Sequence, residues 1–468
     1  MPRQLSSYAP LSNYQVGELF CGAGGLSRGF HELGFRPRFA NDIWDLALRT
    51  FLRNFDKKYV DGANSGTGEI LPLPGSVEDI DPADILKRLP RLEGCRAVGV
   101  GDLDVLLGGP PCQGYSVNSH TRSAADPRNT LFKHYVRILH GLSPKVFVLE
   151  NVPGMFSLDG GRFLDEFFAS IGSSKKSKYG GYEIDFRILN AAHYGVPQER
   201  FRVVVVGTRR DVADISGTVK LPLPVHYSLA RAHFKGGRSH TFHYAIGHNS
   251  IAGIATLPLI GASLRPPISV ENAIGDLPPL SNGGGIDDGV NYWLSGQQAN
   301  LSEFQRRMRR GVKFLRNHWC RALLPPNTER ICHIPEGGDW RSIPHELLPP
   351  GMQRALRKDH TTRYGRLSRN QLSGTLLTKP DPHWGTFIHF DIEQQRLISV
   401  REAARLQSFP DSHVFLGGQV DQYRLCGNAV PPLMAEAVAS KVKEVLDSYS
   451  ESVVPKRRRA SSSLAIGV

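Results

Sequence analysis

Cys112 stands behind two prolines, in Gly109-Pro110-Pro111-Cys112-Gln113, directly after the apolar run Val105-Leu106-Leu107. Proline fixes φ and lacks a backbone donor, so a strand must end there and the thiol is presented on a stiff turn. A thiol so placed can act as a nucleophile; on these residues alone a packed core cysteine remains an equal reading. A second candidate, Glu150, closes the apolar run Val146-Phe147-Val148-Leu149. A carboxyl ending a buried strand loses hydration, which raises its pKa and lets it donate or share a proton near neutrality. A helix cap is the plainer alternative. In Gln198-Glu199-Arg200-Phe201-Arg202, Arg200 and Arg202 alternate into Val203–Val206 and so share one face of a strand start. Two guanidiniums there can grip a base carbonyl, a phosphate or a carboxylate, or form a surface salt bridge.

Glu18-Leu19-Phe20-Cys21-Gly22-Ala23-Gly24-Gly25 reads as a strand turning through glycines into a helix, the place where an α/β sheet receives a nucleotide-like ligand. Asp42 ends the next strand, where a carboxylate can accept both ribose hydroxyls of an adenosine, and Ile43 can pack on its adenine. Ser27 replaces the third glycine of Gly-x-Gly-x-x-Gly, which weakens a dinucleotide reading. A structural glycine turn explains the loop about as well. His318, Cys320, Cys332 and His333 are zinc-ligand types at a non-standard spacing, and no metal is expected.

These residues need a scaffold. From Val16 to about Thr208, short apolar runs alternate with amphipathic stretches, the pattern of strand–helix units and a mostly parallel sheet. Strands are expected at Val16–Phe20, Arg38–Asn41, Val105–Gly108, Val146–Glu150, Glu183–Leu189 and Arg202–Val206, with helices at Asp45–Asn54 and Leu131–Leu142. Residues 210–395 are rich in Gly, Pro, His and Arg and read as a loop-rich region. Ser399-Val400-Arg401-Glu402 is a capping box opening a helix that Pro410 stops. Pro431-Pro432 starts a last helix whose stripe Met434, Val438, Val442 and Leu446 must pack on the first lobe.

At 468 residues the chain exceeds what one core usually serves, so two lobes are expected. The six cysteines form no Cys-x-x-Cys pair, which argues for a reducing compartment. The absence of a charged-then-apolar leader and of a long apolar run supports neither secretion nor membrane spanning. A formal charge of +13 suits a polyanionic partner. Basic residues cluster at Arg306–Arg316 and Arg354–Arg363, runs that are usually solvated faces, and the tail Lys456-Arg457-Arg458-Arg459 reads as a disordered, solubilising end in preference to a nuclear signal or a phosphate clamp.

In this order, the segments resemble the DNA (cytosine-5)-methyltransferase family. The resemblance rests on the glycine turn at 18–25, Pro-Pro-Cys-Gln at 110–113, Glu-Asn-Val at 150–152, Gln-x-Arg-x-Arg at 198–202, Arg-Glu-Ala-Ala-Arg-Leu-Gln-Ser-Phe-Pro-Asp at 401–411 and Gly-Asn-Ala-Val-Pro-Pro at 427–432. It implies an α/β, class I S-adenosylmethionine-dependent methyltransferase fold, Rossmann-like with a mostly parallel sheet, and a smaller loop-rich target-recognition domain. The catalytic domain would span 14–210, completed by 427–448; recognition would fall in 211–426, including the helix at 399–409, and 449–468 would be a tail. It makes Cys112 the nucleophile, Glu150 the group at cytosine N3, and Arg202 a contact to the base carbonyl with Arg200 beside it. S-adenosyl-L-methionine would lie against Phe20, Gly22, Ala23, Gly25, Asp42, Ile43, Ser76, Val77, Pro111, Leu131, Asn428 and Ala429. Ser76 stands where members commonly carry an acidic residue for the adenine amino group, and Ile43 where many carry an aromatic one, with Trp44 next to it.

The implied chemistry is methyl transfer to carbon 5 of a flipped-out cytosine in double-stranded DNA. Carbon 5 is too weak a nucleophile by itself, so a thiolate first adds at carbon 6. The polar stretch Gln113–Asn129 would close over the flipped base. The resemblance also implies a monomer without membrane association, a separately acting restriction endonuclease as possible partner, and a nucleoid-associated cytoplasmic location in a bacterium or a nuclear one in a eukaryote. A tRNA cytosine-5 methyltransferase and a catalytically silent homologue are the rival readings. The large loop-rich insert favours duplex DNA over tRNA, and retention of Cys112 and Glu150 opposes silence.

Overall fold

The computed structural model describes residues 13–59, 68–89, 92, 95–96, 99–111, 131–156, 162–172, 178–228, 264–287, 290–291, 300–354, 363–383 and 385–453. Seven strands form the central sheet: β1 (Gln15–Leu19), β2 (Arg36–Asp42), β3 (Leu71–Pro74), β4 (Val105–Gly108), β5 (Val146–Asn151), β6 (Tyr182–Asn190) and β7 (Phe201–Arg209). Their order is β3-β2-β1-β4-β5-β7-β6, and only β7 runs against its neighbours. Helices α1 (Gly25–Glu32), α2 (Asp45–Phe55), α3 (Pro82–Arg88), α4 (Leu131–Leu142), α5 (Arg162–Gly172) and α6 (Arg210–Ser216) connect or follow the strands. The Rossmann-like class expected from the sequence is therefore the one observed.

Both faces of the sheet are buried, which is why its strands read as continuous apolar runs rather than as alternations. Val105, Leu107, Val146, Val148, Val204 and Val206 face one cluster, while Leu106, Phe147, Leu149, Val203 and Val205 face the other. On the second face α4 presents Tyr135, Ile138, Leu139 and Leu142. Strand β3 went unrecognised in the sequence because Leu71-Pro72-Leu73-Pro74 carries two prolines; as the sheet edge it tolerates them.

The loop-rich region holds short helices, among them α7 (Val270–Ile274) and α8 (Glu303–Met308), and after it come α9 (Val400–Leu406), α10 (Gln419–Asn428) and α11 (Pro432–Val453). Among the described residues, the apolar cluster on the first sheet face also takes in side chains from Val270 to Leu446. The stripe Met434, Val438, Val442 and Leu446 is buried, and α11 lies so close to α1 that a Cβ on Gly29 would sit 2.4 Å from the Glu436 nitrogen. Helix α11 also runs past the 448 boundary drawn from sequence, to Val453, because Tyr449 packs against the same core.

Helix α9 opens at the capping box: Glu402 N–H donates to Ser399 Oγ at 3.1 Å, and Ser399 N–H donates to Glu402 Oε2 at 2.6 Å. It ends at Leu406, before Pro410, where Ser408 adopts a left-handed φ of 67°. Its charged residues are buried rather than solvated, so each needs a partner. Arg396 clasps the Glu402 carboxylate through two 2.7 Å contacts, and Arg405 bridges Asp276 at 2.8 Å and Asp411 at 2.6 Å. Part of the basic cluster is structural too: Arg309 pairs with Asp276 and Arg307 with Glu436.

Burial alone would raise the Glu402 pKa, but Arg396, His389 and His318 outweigh it and hold the carboxyl well below its usual range. A depressed carboxylate stabilises fully above its unfolded pKa of about 4.3 and loses that contribution as pH falls toward the folded value. Glu402→Gln, which strands the buried Arg396 charge, is expected to lower stability by about 3–5 kcal/mol in urea unfolding at pH 7. The deficit relative to the unchanged chain should shrink below pH 4; a deficit independent of pH would count against this assignment.

Candidate active site

Pairing register brings the site residues to one edge of the sheet. Leu19 lies opposite Asn41 of β2 and Gly108 of β4, and Gly108 lies opposite Leu149 of β5. One step further along each strand, Phe20, Asp42, Gly109 and Glu150 therefore leave the sheet side by side. The order reverses between β1 and β4, and ligands of open α/β sheets bind in the crevice at such a switch point.

Strand β7 enters this edge from the opposite direction. Glu150 pairs with Val204, so Arg202, two residues earlier, is its diagonal neighbour on the same face. Arg202 Nε meets Glu150 Oε1 at 2.8 Å, and Arg202 Nη1 donates to the Phe201 carbonyl at 2.7 Å. Burial raises the Glu150 pKa, opposed by the Arg202 and Arg200 charges. A Cβ at Gly109 would approach Glu150 Oε2 to 3.4 Å, and Asn151 Nδ2 donates to the Pro110 carbonyl at 3.2 Å. The proline turn is thus fastened to the strand that carries the acid. Pro110 is buried and Pro111 exposed. Cys112 and the stretch Gln113–Asn129 lie outside the described residues.

Arg200 lies within electrostatic reach of Arg202 and Glu150, but its guanidinium is spent on backbone carbonyls. It is 1% exposed and lies just ahead of β7, where Nη2 donates to the Gly427 carbonyl at 2.8 Å and Nη1 to Leu376 at 3.4 Å. Burial drives its pKa well below that of a free guanidinium. Alternation along a strand does not apply to Arg200 because the strand begins at Phe201. Gln198 runs in parallel: Nε2 donates to Gln407 Oε1 at 2.6 Å, and Gln407 Nε2 donates to the Ala429 carbonyl at 2.5 Å. Neither glutamine was singled out from sequence, although Gln198 opens the Gln-x-Arg-x-Arg segment. The two chains of bonds tie the Arg202 segment to residues 427–429.

The glycine turn faces that same segment. Gly22 and Gly24 adopt φ of 52° and 78°, and Gly24 caps α1 in the left-handed conformation. A Cβ on Gly25 would fall 2.2 Å from the Val430 carbonyl oxygen and 3.1 Å from the Ala429 Cβ. Beneath the turn, buried Glu18 accepts from Ser27 N–H at 3.2 Å, and burial pushes its carboxyl up to about 8. Asp42 accepts from Gly22 N–H at 2.8 Å and from Trp44 N–H at 2.9 Å. Its pKa is raised by burial, against those hydrogen bonds and the Arg424 charge. Ile43 is 77% exposed, while Phe20 and Leu131 are half-buried against the second core face. Ser76 accepts from Glu78 N–H at 3.3 Å in its own turn, and the Val77 side chain is buried in the core, with Arg137 bonded to its carbonyl. Asn428 is exposed at the end of α10.

These residues fit an adenosine-bearing cofactor. A Cβ projected from Gly22 meets nothing within 4 Å, so the backbone is open to a ligand beside the half-buried Asp42 carboxylate and the exposed Ile43 side chain. S-adenosylmethionine presents such a ribose and adenine, with a sulfonium methyl group. His318, by contrast, bonds Ser399 Oγ at 2.9 Å and the Pro278 carbonyl at 2.8 Å through its two ring nitrogens, and Cys320 donates to the Ser281 carbonyl.

Sheet order and site together define a class I S-adenosylmethionine-dependent methyltransferase. Residues 14–235 and 326–444 match the C-5 cytosine-specific DNA methylase family, and the chain belongs to that family. It is 30% identical to Type II methyltransferase M.AgeI of Thalassovita gelatinovora over 91% of this chain and 98% of that protein. It is also 30% identical to DNA (cytosine-5)-methyltransferase 4 of Arabidopsis thaliana, over 95% of this chain but 29% of that longer protein. A putative DNA modification methyltransferase of an E. coli prophage shares the fold, with a TM-score of 0.60 at 21% identity, covering 93% of this chain and 100% of the other. The chain is thus a DNA (cytosine-5)-methyltransferase by family, and members of this family take their methyl group from S-adenosylmethionine.

Arg200→Met would leave the Gly427 and Leu376 carbonyls without their guanidinium donors. The expected loss is about 1–3 kcal/mol in urea unfolding, with weaker S-adenosylhomocysteine binding. An unchanged midpoint and affinity would show that Arg200 does not hold this segment.

Proposed function

We propose that the chain methylates carbon 5 of a flipped-out cytosine within a specific double-stranded DNA sequence, through a covalent bond from Cys112 to carbon 6. The observation that carries this reading is the Glu150–Arg202 pair, set at the sheet edge against the turn that leads into Cys112. The bound cofactor supplies an electrophilic methyl group. Cys112 adds to carbon 6 as its thiolate, its electron pair forming the S–C6 bond while the C5=C6 π pair shifts to carbon 5, which then takes the methyl group. Glu150 holds a proton toward N3 as negative charge develops on the ring, and its raised pKa suits that task. Arg202 orients Glu150 and offers its remaining donors to the base carbonyl. Asp42 grips the ribose; Phe20, Ile43 and Leu131 flank the adenosine, with Gly22, Ala23, Gly25, Pro111, Asn428 and Ala429 forming the walls. Ser76 and Val77 contribute backbone only. After transfer the carbon 5 proton leaves and Cys112 is expelled.

In this reading residues 14–210 with 427–448 form the catalytic unit and 211–426 reads the target. Basic side chains there hold phosphates while others meet base edges. The enzyme acts as a monomer on DNA, and a restriction endonuclease would act apart from it.

Tritium transfer from labelled S-adenosylmethionine is expected on duplex DNA and not on tRNA; label on tRNA alone, or on neither, would refute the reading. Cys112→Ala should abolish transfer while leaving S-adenosylhomocysteine affinity within about twofold, and Glu150→Gln should slow transfer by about 10²–10³-fold. Bisulfite sequencing of cellular DNA then gives the recognised sequence.

A further inference from the structure

Arg424 lies on the exposed side of α10, four residues before Asn428, which is exposed on the same side. Its guanidinium sits over the Trp44 ring, 4.6 Å from the centroid. The backbone N–H of Trp44 holds one oxygen of Asp42, and the backbone N–H of Gly22 holds the other. Among the described residues no carboxylate lies within ion-pair distance of Arg424, so aromatic stacking, rather than a salt bridge, positions this cation. Ile43 projects outward between Asp42 and Trp44.

We propose that Arg424 is a positioning residue of the cofactor site: stacked on the Trp44 ring, it holds in place the residue whose backbone N–H anchors Asp42, and it sets a positive charge beside that carboxylate. The inference rests on the cofactor site proposed above. A planar cation stacks on an indole face and keeps its charge, a combination that an ammonium group reproduces only in part. The neighbouring aromatic that adenine would otherwise meet is thereby committed to Arg424, which leaves Ile43 as the apolar contact.

Among the described residues, Glu18 and Cys21 from β1 and its turn and Arg424 from α10 are the titratable groups that bear on Asp42. Burial raises the Asp42 pKa and Arg424 opposes this, so removing Arg424 should make the carboxyl protonate at a higher pH. Glu18 and Cys21 are present in both proteins, so a difference between the two profiles reports the loss of the guanidinium.

The test is calorimetric titration of the full chain with S-adenosylhomocysteine between pH 5 and 8. Arg424→Gln is expected to weaken binding about three- to tenfold at pH 7, and the gap should widen as pH falls. Arg424→Lys, which keeps the charge but not the planar stack, should fall between. In an Asp42→Asn background, Arg424→Gln should change affinity by less than about twofold, because the carboxylate through which it acts is gone. Equal affinities for Arg424→Gln and the unchanged chain at every pH, or an undiminished loss in the Asp42→Asn background, would overturn the proposal. If the unchanged chain itself does not bind S-adenosylhomocysteine, the cofactor site proposed above fails, and this inference with it.

Discussion

A slip of one residue in the pairing of β4 against β1 would turn every side chain of the strand to the opposite face, because side chains alternate with a period of two. The buried apolar sets on both faces exclude that slip. The same register leaves Phe20, Gly109 and Glu150 at one level of the sheet edge. Packing of leucines, valines and phenylalanines far from any reacting atom therefore sets where the acid stands relative to the proline turn. The reversal of β7 completes the arrangement, since only a strand entering from the opposite end delivers Arg202 to Glu150.

A second set of constraints joins segments distant in sequence. Arg200 and Gln198 reach from the start of β7 to Gly427 and, through Gln407, to Ala429, which in turn abuts Gly25. Base-side and cofactor-side elements are linked by hydrogen bonds from buried side chains to backbone carbonyls. Such bonds are demanding in geometry and strong where water is excluded. The Arg396–Glu402 pair and the bridges from Arg405 do the same for α9, which lies against both the loop-rich region and the first sheet face.

Much of this was legible in the residues. The expected strands at 105–108 and 146–150 match β4 and β5 to within a residue, because buried parallel strands carry uninterrupted apolar runs. The capping box at Ser399 and the stripe on α11 followed from local rules and were observed. Asp42 and Glu150 were legible as carboxylates at strand ends. Arg200 was not: alternation predicts a face only within a strand, and its carbonyl partners lie 176 and 227 residues away. The Arg424–Trp44 stack was hidden for a similar reason, as the two residues meet only once α10 is placed over the carboxyl end of β2.

Helix α11 closes on α1 from the far end of the chain, and the Tyr14 hydroxyl bonds Asp447 across 433 positions. Contacts of such separation form late, since the loop entropy must be met before they stabilise anything. A growing chain can therefore assemble the strands that hold Glu150 well before residues 427–432 emerge to complete the wall beside the glycine turn. Until then α1 exposes the apolar side that α11 will cover, a surface suited to chaperone capture during synthesis. Cofactor competence thus waits on residues made long after the strands that hold Glu150, and a chain cut before Gly427 would have its acid in place and its cofactor site unfinished.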